Sequence, residues 1–371
     1  MFEKKMQILE SLETPFMRDK GIYQDGTTPM YRDVDGTLWA MSGHTHLGHI
    51  AMFKGSSLDD LEQLYPIETN FAAGHADFAY AGIPYPEGIK ARGSMWPFGL
   101  YICPKTHRFF CFFHNETGWA GRGTAYDANG YCETPFLDSD FRHIGLMHSD
   151  DEGKTWFFDR WVLTGEQVAF SEKFNPGAGN VTGQKYGTIN LGSGDFTFFP
   201  DPNSDYLYIF YNILHVDMIK EKLTRCDCYV ARTRKREDGI MGDFVKYYDG
   251  SFCEAGNFGK ESMIVEGAWH TRVAYLEKYK KYVMVANHQD MSPDAEKLMT
   301  STMAVRYSDD LLHWSEPEFV EYEGKRFGNH YNAIMSQDDK SQPHVIPGDD
   351  FSLLTNHNAT NVTRYKAKFI D

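Results

Sequence analysis

The feature that most constrains the fold is a strand-turn-strand pattern that recurs along the 371 residues. Apolar-polar strands flank the turn HSDDEGKTW at residues 148–156, and weaker copies of this turn occur near Ser57 and Ser308. Two further segments keep the strand pattern without this turn: CYVARTRKREDGIMGDFVKYY and NVTRYKAKF. Each of these outer segments follows an inner hairpin whose turn is rich in Asp, Gly, Pro or Lys. Internal repeats on this scale predict the blades of a β-propeller.

The repeating units start near Asp25, Trp96, Asp195, Glu266 and Tyr331, with spacings of 71, 99, 71 and 65 residues by subtraction. This spacing predicts an all-β fold in which residues 1–371 form a single five-bladed β-propeller with four-stranded antiparallel blades. The last unit lacks its outermost strand, so the segment before Asp25 is expected to supply it. The polar, glycine-rich stretches at 115–140 and 164–190 are predicted to be loops over one end of the propeller.

The turn at 148–156 has the Ser-x-Asp-x-Gly-x-Thr-Trp pattern of an Asp-box. Asp151 can accept hydrogen bonds from nearby backbone N–H groups, and Gly153 can take a positive φ. Trp156 is expected to pack between neighbouring sheets. The pattern therefore indicates a structural turn at the edge of a blade rather than a ligand site.

The net charge of −15 argues against a nucleic-acid partner, because phosphate binding needs clustered Lys and Arg residues. No apolar run is long enough to span a bilayer, and the N-terminal MFEKKMQILESLETPF lacks a secretory signal. The sequence thus predicts a soluble protein, cytoplasmic as given, or periplasmic or secreted if a signal peptide has been removed. The six cysteines have no metal-ligand spacing and are interpreted as mostly free thiols. The oligomeric state stays open.

Three carboxylates lie at the predicted starts of inner strands, where the blades of a propeller converge. They are Asp25 in QDGTTPMY, Asp195 in GSGDFTFF and Glu266 in VEGAWHTRVAY. With Trp96-Pro97 in MWPFGLYI, these motifs resemble the five-bladed propeller glycoside hydrolases, the group that includes families 32, 43, 62, 68 and 117. The resemblance covers nearly the whole chain in architecture. It implies hydrolysis of an oligo- or polysaccharide by carboxylate general acid/base chemistry, with inversion at the anomeric carbon.

Glycoside hydrolysis needs a carboxylic acid that protonates the leaving oxygen and a carboxylate that activates water or attacks the sugar. Burial by Val265 and Trp269 would keep Glu266 protonated, which suits it to the acid role. Asp25 is then the ionised base, and Asp195 orients the sugar and raises the pKa of the acid.

Further residues are predicted to line the substrate pocket. Aromatic side chains near strand starts can stack on sugar faces, and one family of the resembling group uses a histidine as its acid, which draws attention to the histidine four residues after Glu266. The predicted substrate-binding residues are His44, Trp96, Trp119, Trp269, His270, Arg272 and His330. No cofactor is required and no metal ligands are predicted; the resemblance allows a structural calcium ion in the axial channel.

Three other functions are compatible with a propeller of this kind. A sialidase is suggested by the Asp-box, but it would need an arginine cluster, and only Arg32, Arg92 and Arg272 lie near inner strands. A glycoside phosphorylase would require phosphate in place of water. A non-catalytic carbohydrate-binding propeller would use the same carboxylates only as hydrogen-bond acceptors.

Overall fold

The computed structural model describes residues 2–13, 25–26, 28–44, 50–66, 94–116, 142–165, 188–217, 222–290, 299–357 and 361–371. One 3₁₀ turn in these ranges covers Glu277–Tyr279. The strands in these ranges are β1 (Lys5–Glu13), β2 (Met30–Arg32), β3 (Leu38–Gly43), β4 (Ile50–Gly55), β5 (Glu62–Pro66), β6 (Ser94–Ile102), β7 (Phe109–Glu116), β8 (Arg142–Ser149), β9 (Phe157–Thr164), β10 (Thr188–Pro200), β11 (Tyr206–Asp217), β12 (Lys222–Arg234), β13 (Val245–Tyr248), β14 (Ser251–Ala255), β15 (Ala268–Leu276), β16 (Lys281–Gln289), β17 (Met299–Ser308), β18 (Glu318–Phe319), β19 (Glu321–Tyr322), β20 (Lys325–Arg326), β21 (His330–Ser336), β22 (Val345–Ile346), β23 (Asp350–His357) and β24 (Asn361–Ile370).

Most of these strands form antiparallel units of four, and in units 1 to 4 neighbours in sequence pair in space. Unit 1 is β2–β5, unit 2 is β6–β9, unit 3 is β10–β13 with β14 at its edge, and unit 4 is β15–β18. Unit 5 is β21, β23, β24 and β1. The strands β19 and β20 form a separate small hairpin, and β22 adds to β15 in parallel. The all-β, propeller-type arrangement agrees with the prediction from the repeats.

The N-terminal strand β1 completes unit 5, as the sequence predicts. It pairs antiparallel with β24, from Lys5 opposite Ile370 to Glu13 opposite Thr363. Its Ile8 side chain is 8% exposed and packs in the apolar layer between units 4 and 5. The first and last strands of the sequence therefore lie in the same sheet.

Apolar layers join each unit to the next. An apolar layer also lies between units 5 and 1, so the described units close into a ring. Representative pairs across the layers are Met52 and Phe113 for units 1 and 2, Phe112 and Phe198 for units 2 and 3, Phe210 and Met284 for units 3 and 4, Val305 and Phe351 for units 4 and 5, and Leu354 and Ala40 for units 5 and 1.

The innermost strands β2, β6, β10, β15 and β21 surround the axis of this ring. A small cavity of about 20 Å³ lies among them and receives side chains from all five units. Its lining includes Met30, Phe98, Phe198, Arg272 and Ile334, one from each unit in order. Residues that are far apart in sequence therefore meet on this axis.

The turn at 148–156 has the structural role predicted for it. The Asp151 carboxylate accepts hydrogen bonds from the Thr155 backbone N–H at 2.8 Å and from the Ser149 hydroxyl at 2.8 Å. Gly153 has a φ of 81°, and the Trp156 indole donates to the Gly153 carbonyl at 2.9 Å. The Trp156 ring is buried in the layer between units 1 and 2.

Five of the cysteines lie in the described ranges, and all five are free thiols. Only the exposed Cys253 is accessible; the buried ones are Cys103, Cys111, Cys226 and Cys228. Over the same ranges, no helix has the length and apolar character needed to cross a membrane.

Candidate active site

The inner strands of units 3, 4 and 5 each contain a β-bulge, near the middle of β10 and near the start of β15 and β21. The register shifts between Gly194 and Phe196, between Trp269 and Arg272, and between His330 and Ala333. The residues displaced by these bulges include Asp195, His270 and Tyr331, whose φ angles are 34°, 51° and 49°. Positive φ at such residues is costly, and it concentrates at functional sites, where bulges redirect side chains.

The three displaced side chains meet on the axis. The Tyr331 hydroxyl donates to Asp195 Oδ1 at 3.0 Å, and the His270 ring stacks on the Tyr331 ring with 3.7 Å between centroids. His270 Nε2 lies 3.8 Å from Asp195 Oδ1. Equivalent positions of three units thus form one cluster, which is the start of the candidate site.

Asp195 is the ionised centre of this cluster and is only 4% exposed. Burial alone would raise the pKa of its carboxyl group. The neighbouring His114, His270 and Arg142 and the hydrogen bond from Tyr331 outweigh burial and hold the pKa well below its usual range. Arg142 Nη1 makes the closest charged contact, donating to Asp195 Oδ2 at 2.9 Å. Asp195 therefore carries its negative charge at any pH near neutrality.

Two buried side chains of β7, in unit 2, hold the backbone of Asp195 in place. The Asp195 backbone N–H donates to His114 Nδ1 at 3.2 Å, and His114 Nε2 lies 3.0 Å from Glu116 Oε1. Gly194 is required here, because a Cβ atom at that position would lie 2.5 Å from the His114 ring. The second strand of unit 2 thus fixes the backbone of the unit 3 bulge.

His114, Glu116 and Asp195 offer three possible metal ligands within 4.8 Å of one another. The guanidinium of Arg142 already bridges the two carboxylates, at 2.7 Å from Glu116 Oε1 and 2.9 Å from Asp195 Oδ2. The guanidinium therefore already neutralises the carboxylates that would otherwise bind a metal ion. The arrangement favours an internal ion-pair network over a metal centre.

Asp25 approaches the same cluster from unit 1, in the segment that precedes β2. Its Oδ1 lies 3.8 Å from His330 Nε2, and the Trp96 side chain donates a hydrogen bond to it. Burial, followed by the negative charges of Asp195 and Glu116, raises the pKa of Asp25 to about 7. Asp25 and Asp195 therefore lie in one site with opposite tendencies to hold a proton.

Several predicted substrate-binding residues surround these two carboxylates. The Trp96 ring is buried and stacks on His44, with 5.5 Å between centroids. The Trp269 ring is half-buried and lies 5.4 Å from the His330 ring. The predicted set has two further residues. Arg272 lines the axial cavity, and Trp119 is outside the described residues.

Glu266 has a different environment from the one predicted for it. The sequence predicts that Val265 and Trp269 bury this carboxyl, whereas its side chain is 62% exposed in the turn before β15. Its charged neighbour is Arg225, with Nη2 3.5 Å from Oε1. The predicted burial is wrong because the bulge in unit 4 places His270, four residues later, at the position equivalent to Asp195. The catalytic role of Glu266 stays a prediction.

Sequence reasoning missed His114, Glu116, Arg142 and Tyr331. A signal for some of them is the polar residue at the end of each second strand, seen in FFHN, IFYN and VMVAN. Asn212 of IFYN accepts a hydrogen bond from the His270 backbone N–H at 2.8 Å, much as His114 does from Asp195. The repeated polar residue therefore marks the place where one unit holds the bulge of the next.

No protein-family model matches the chain, and no curated protein sequence matches it significantly. A family 117 glycoside hydrolase of the marine bacterium Zobellia galactanivorans is 8% identical, with 99% of this chain and 90% of that chain covered and a TM-score of 0.49. An α-L-arabinofuranosidase of Lactobacillus brevis is 12% identical, with coverages of 96% and 94% and a TM-score of 0.48. An N-acetylgalactosamine deacetylase of F. plautii is 10% identical, with coverages of 98% and 96% and a TM-score of 0.44. Similarity at this level does not determine the reaction, which has to follow from the residues of the site.

Proposed function

We propose that the protein is a glycoside hydrolase whose reaction takes place at the axial end that carries Asp25 and Asp195. The observation that supports this most strongly is the opposite protonation of the two carboxylates. The pKa of Asp25 is raised to about 7, while that of Asp195 is held well below its usual range. Pairs of carboxyl groups tuned apart in this way are typical of acid/base catalysis on glycosidic bonds.

In the proposed reaction Asp25 is the general base that removes a proton from the attacking water. A base is most effective when its pKa lies near the working pH, and a pKa of about 7 meets this condition. Asp195 stays ionised, orients the sugar and holds the pKa of Asp25 up through its charge. Trp96 and Trp269 supply aromatic surface of the kind that packs against sugar rings.

The proton donor is proposed to come from unit 4, where Glu266 is the first candidate. Its exposed turn precedes β15 and leads directly into the bulge that carries His270. The proposed stereochemical course is inversion, with a water molecule between the sugar and Asp25.

The proposal is tested with a panel of aryl glycosides and oligosaccharides, assayed with and without a chelator and with and without phosphate. We expect hydrolysis of at least one substrate without a need for phosphate. The Asp25→Asn variant should lower turnover by about 10²–10⁴-fold, the usual contribution of general acid/base assistance. NMR identifies the anomer of the product that forms first. An anomer opposite to that of the substrate would support inversion.

Asp33→Asn is the matched control. Asp33 is another aspartate next to β2 of unit 1, but it is buried, lies at the opposite end of the strand and contacts His107 at 2.5 Å. Its variant should keep turnover close to that of the wild type. Binding of a glycan without turnover, or equal losses in the two variants, would rule out the proposed role of Asp25.

A further inference from the structure

The axial cavity contains a buried positive charge. Arg272 lies on β15, is 9% exposed, and extends into the cavity of about 20 Å³ among the inner strands. Its guanidinium donates a hydrogen bond from Nη2 to the Thr28 carbonyl at 3.2 Å. In the ranges of the chain that the structure describes, no carboxylate forms an ion pair with it. A buried cation without a counter-charge is costly, since burial removes its hydration.

The rest of the lining adds no negative charge. Most of the lining side chains are apolar, including Met30, Phe98, Phe198 and Ile334. The other titratable residue is His344, and burial, with the charges of Arg272 and Lys235, lowers its pKa to about 3. His344 is therefore neutral near pH 7, and the cavity carries the single positive charge of Arg272.

We propose that this cavity is a binding site for a small monovalent anion of the size of chloride or bromide, held by the guanidinium of Arg272. The volume of about 20 Å³ is close to the space that one water-sized sphere needs. A monatomic anion fits such a space, whereas sulfate, phosphate or a sugar carboxylate is too large. The charge of Arg272 then favours an anion over a neutral water molecule.

The same lining disfavours a calcium ion in this part of the channel. Calcium takes about six to eight oxygen ligands, among them carboxylates, and is repelled by a nearby cation. The charged residue that lines this cavity is an arginine, and the described lining residues include no carboxylate. A bound anion would also stabilise the ring, because Arg272 of unit 4 contacts Thr28 in the segment leading into unit 1.

Thermal unfolding in sodium chloride, sodium bromide and sodium gluconate at equal ionic strength tests the proposal. An anion that binds only the folded protein raises Tm with the logarithm of its concentration, by about 1–3 °C per tenfold increase for a chain of this length. We expect this rise with chloride and bromide, and no comparable rise with gluconate, which is too large for the cavity.

The Arg272→Met variant should lose the difference between the halides and gluconate. Arg306→Met is the matched control, since Arg306 is another buried arginine of unit 4 but does not line the axial cavity. The Arg306→Met substitution is expected to lower Tm and to leave the halide response in place. Equal halide responses in the two variants would overturn the assignment to Arg272.

A crystal of the wild-type protein soaked in sodium bromide gives a second measurement that needs no variant. The proposal predicts an anomalous bromide peak beside the Arg272 guanidinium, within the axial cavity. A water molecule there with no anomalous signal, together with equal Tm values in chloride and gluconate, would contradict it. The Asp25→Asn variant should keep the halide response, so this result is independent of whether the protein hydrolyses glycosides.

Discussion

Two aspartates of the same site differ in protonation because of what surrounds each one. Asp25 is half-buried, and partial loss of hydration together with the negative charges of Asp195 and Glu116 raises its pKa to about 7. Asp195 is more deeply buried, but Arg142 and Tyr331 donate hydrogen bonds to its two oxygens. The chemistry proposed for the site depends on these neighbours as much as on the carboxylates themselves.

The raised pKa of Asp25 predicts how its removal affects stability. The pKa is 3.8 for an unperturbed carboxyl and about 7 in the folded protein, so the folded state binds more protons between these values. The stability that this group contributes is fully present below pH 3.8 and is lost as the pH rises through about 7. The Asp25→Asn variant should therefore be more stable than the wild type at pH 8, and this advantage should shrink toward pH 4.5.

Urea unfolding of the wild type and the variant at the two pH values measures this effect. An Asp25→Asn protein whose stability varies with pH just as the wild type does would show that Asp25 has an ordinary pKa.

The proton donor can be identified from leaving groups. A variant that lacks the general acid should lose about 10²–10⁴-fold on substrates with poor leaving groups, such as alkyl glycosides, and much less on dinitrophenyl glycosides, which need no protonation. We expect this selective loss for Glu266→Gln. The same loss in His270→Gln, with little change in Glu266→Gln, would instead assign the acid role to the buried histidine. The measurement is the hydrolysis rate of each variant on an alkyl glycoside and on the dinitrophenyl glycoside of the same sugar.

Asp25 and Asp195 can be singled out from the sequence, since each lies at the predicted start of an inner strand. Arg142 could not be found in this way, and Tyr331, which marks the start of the fifth unit, was not expected to be a residue of the site. Arg142 opens the third strand of unit 2, and its relation to Asp195 depends on how two units pack. Tyr331 reaches Asp195 only because a bulge turns it toward the axis.

At the scale of elements, the second strand of one unit holds the inner strand of the next. Asn212 on β11 accepts a hydrogen bond from the His270 backbone N–H at 2.8 Å and donates one to the Ala268 carbonyl at 2.7 Å. It is buried, so these bonds are shielded from water. His114 on β7 likewise accepts a hydrogen bond from the backbone N–H of Asp195 in the bulge of unit 3. These contacts explain how residues with positive φ persist at the site.

Asn212→Ala should destabilise the protein by about 2–4 kcal/mol, because it leaves a buried N–H and a buried carbonyl without their partner. Catalytic activity should fall with it, since the bulge that carries His270 is released. Asn203→Ala is the control: Asn203 lies in an exposed turn and its amide makes one bond, to the Tyr282 hydroxyl at 3.2 Å. The Asn203→Ala substitution is expected to lower the free energy of unfolding by less than about 1 kcal/mol. Equal losses in urea unfolding would contradict the special role of Asn212.

The strands of the repeat can be predicted from their apolar-polar alternation and from the turn residues between them. The bulges cannot be predicted in this way, because a bulge shifts the inward-outward alternation of side chains by one or two residues without a distinct sequence signature. The difference between Glu266 and His270 is an example: the Glu-Gly pair marks the turn, while the bulge that faces the axis lies further along the chain.

At the scale of the whole molecule, ring closure depends on β1. This strand adds the outer edge of unit 5 and carries Ile8 into the layer between units 4 and 5. Ile8→Ala should therefore lower the free energy of unfolding by about 2–4 kcal/mol. Leu9→Ala, next along the strand at a side chain that is 46% exposed, should change it by less than about 0.5 kcal/mol.

The two variants are compared by urea unfolding. If they lose the same amount of stability, β1 does not pack against the ring as described.

The sequence predicts that the N-terminal segment joins the last unit, because the count of strands leaves one position to fill. It does not predict the lining of the axis. Arg272 was expected to contact substrate, yet it faces a cavity whose walls come from all five units and depend on how far each inner strand extends. Such convergence is a property of the closed ring rather than of any one repeat.

The pH dependence of kcat/KM for the best substrate, measured for the wild type and for Asp25→Asn, tests the central claim most directly. With Asp25 as the base, kcat/KM of the wild type should rise through a pKa of about 7 to a plateau, and the variant should lack this rise. A rise near pH 7 that persists in Asp25→Asn, or a wild-type profile that is flat across this range, would contradict the proposed mechanism.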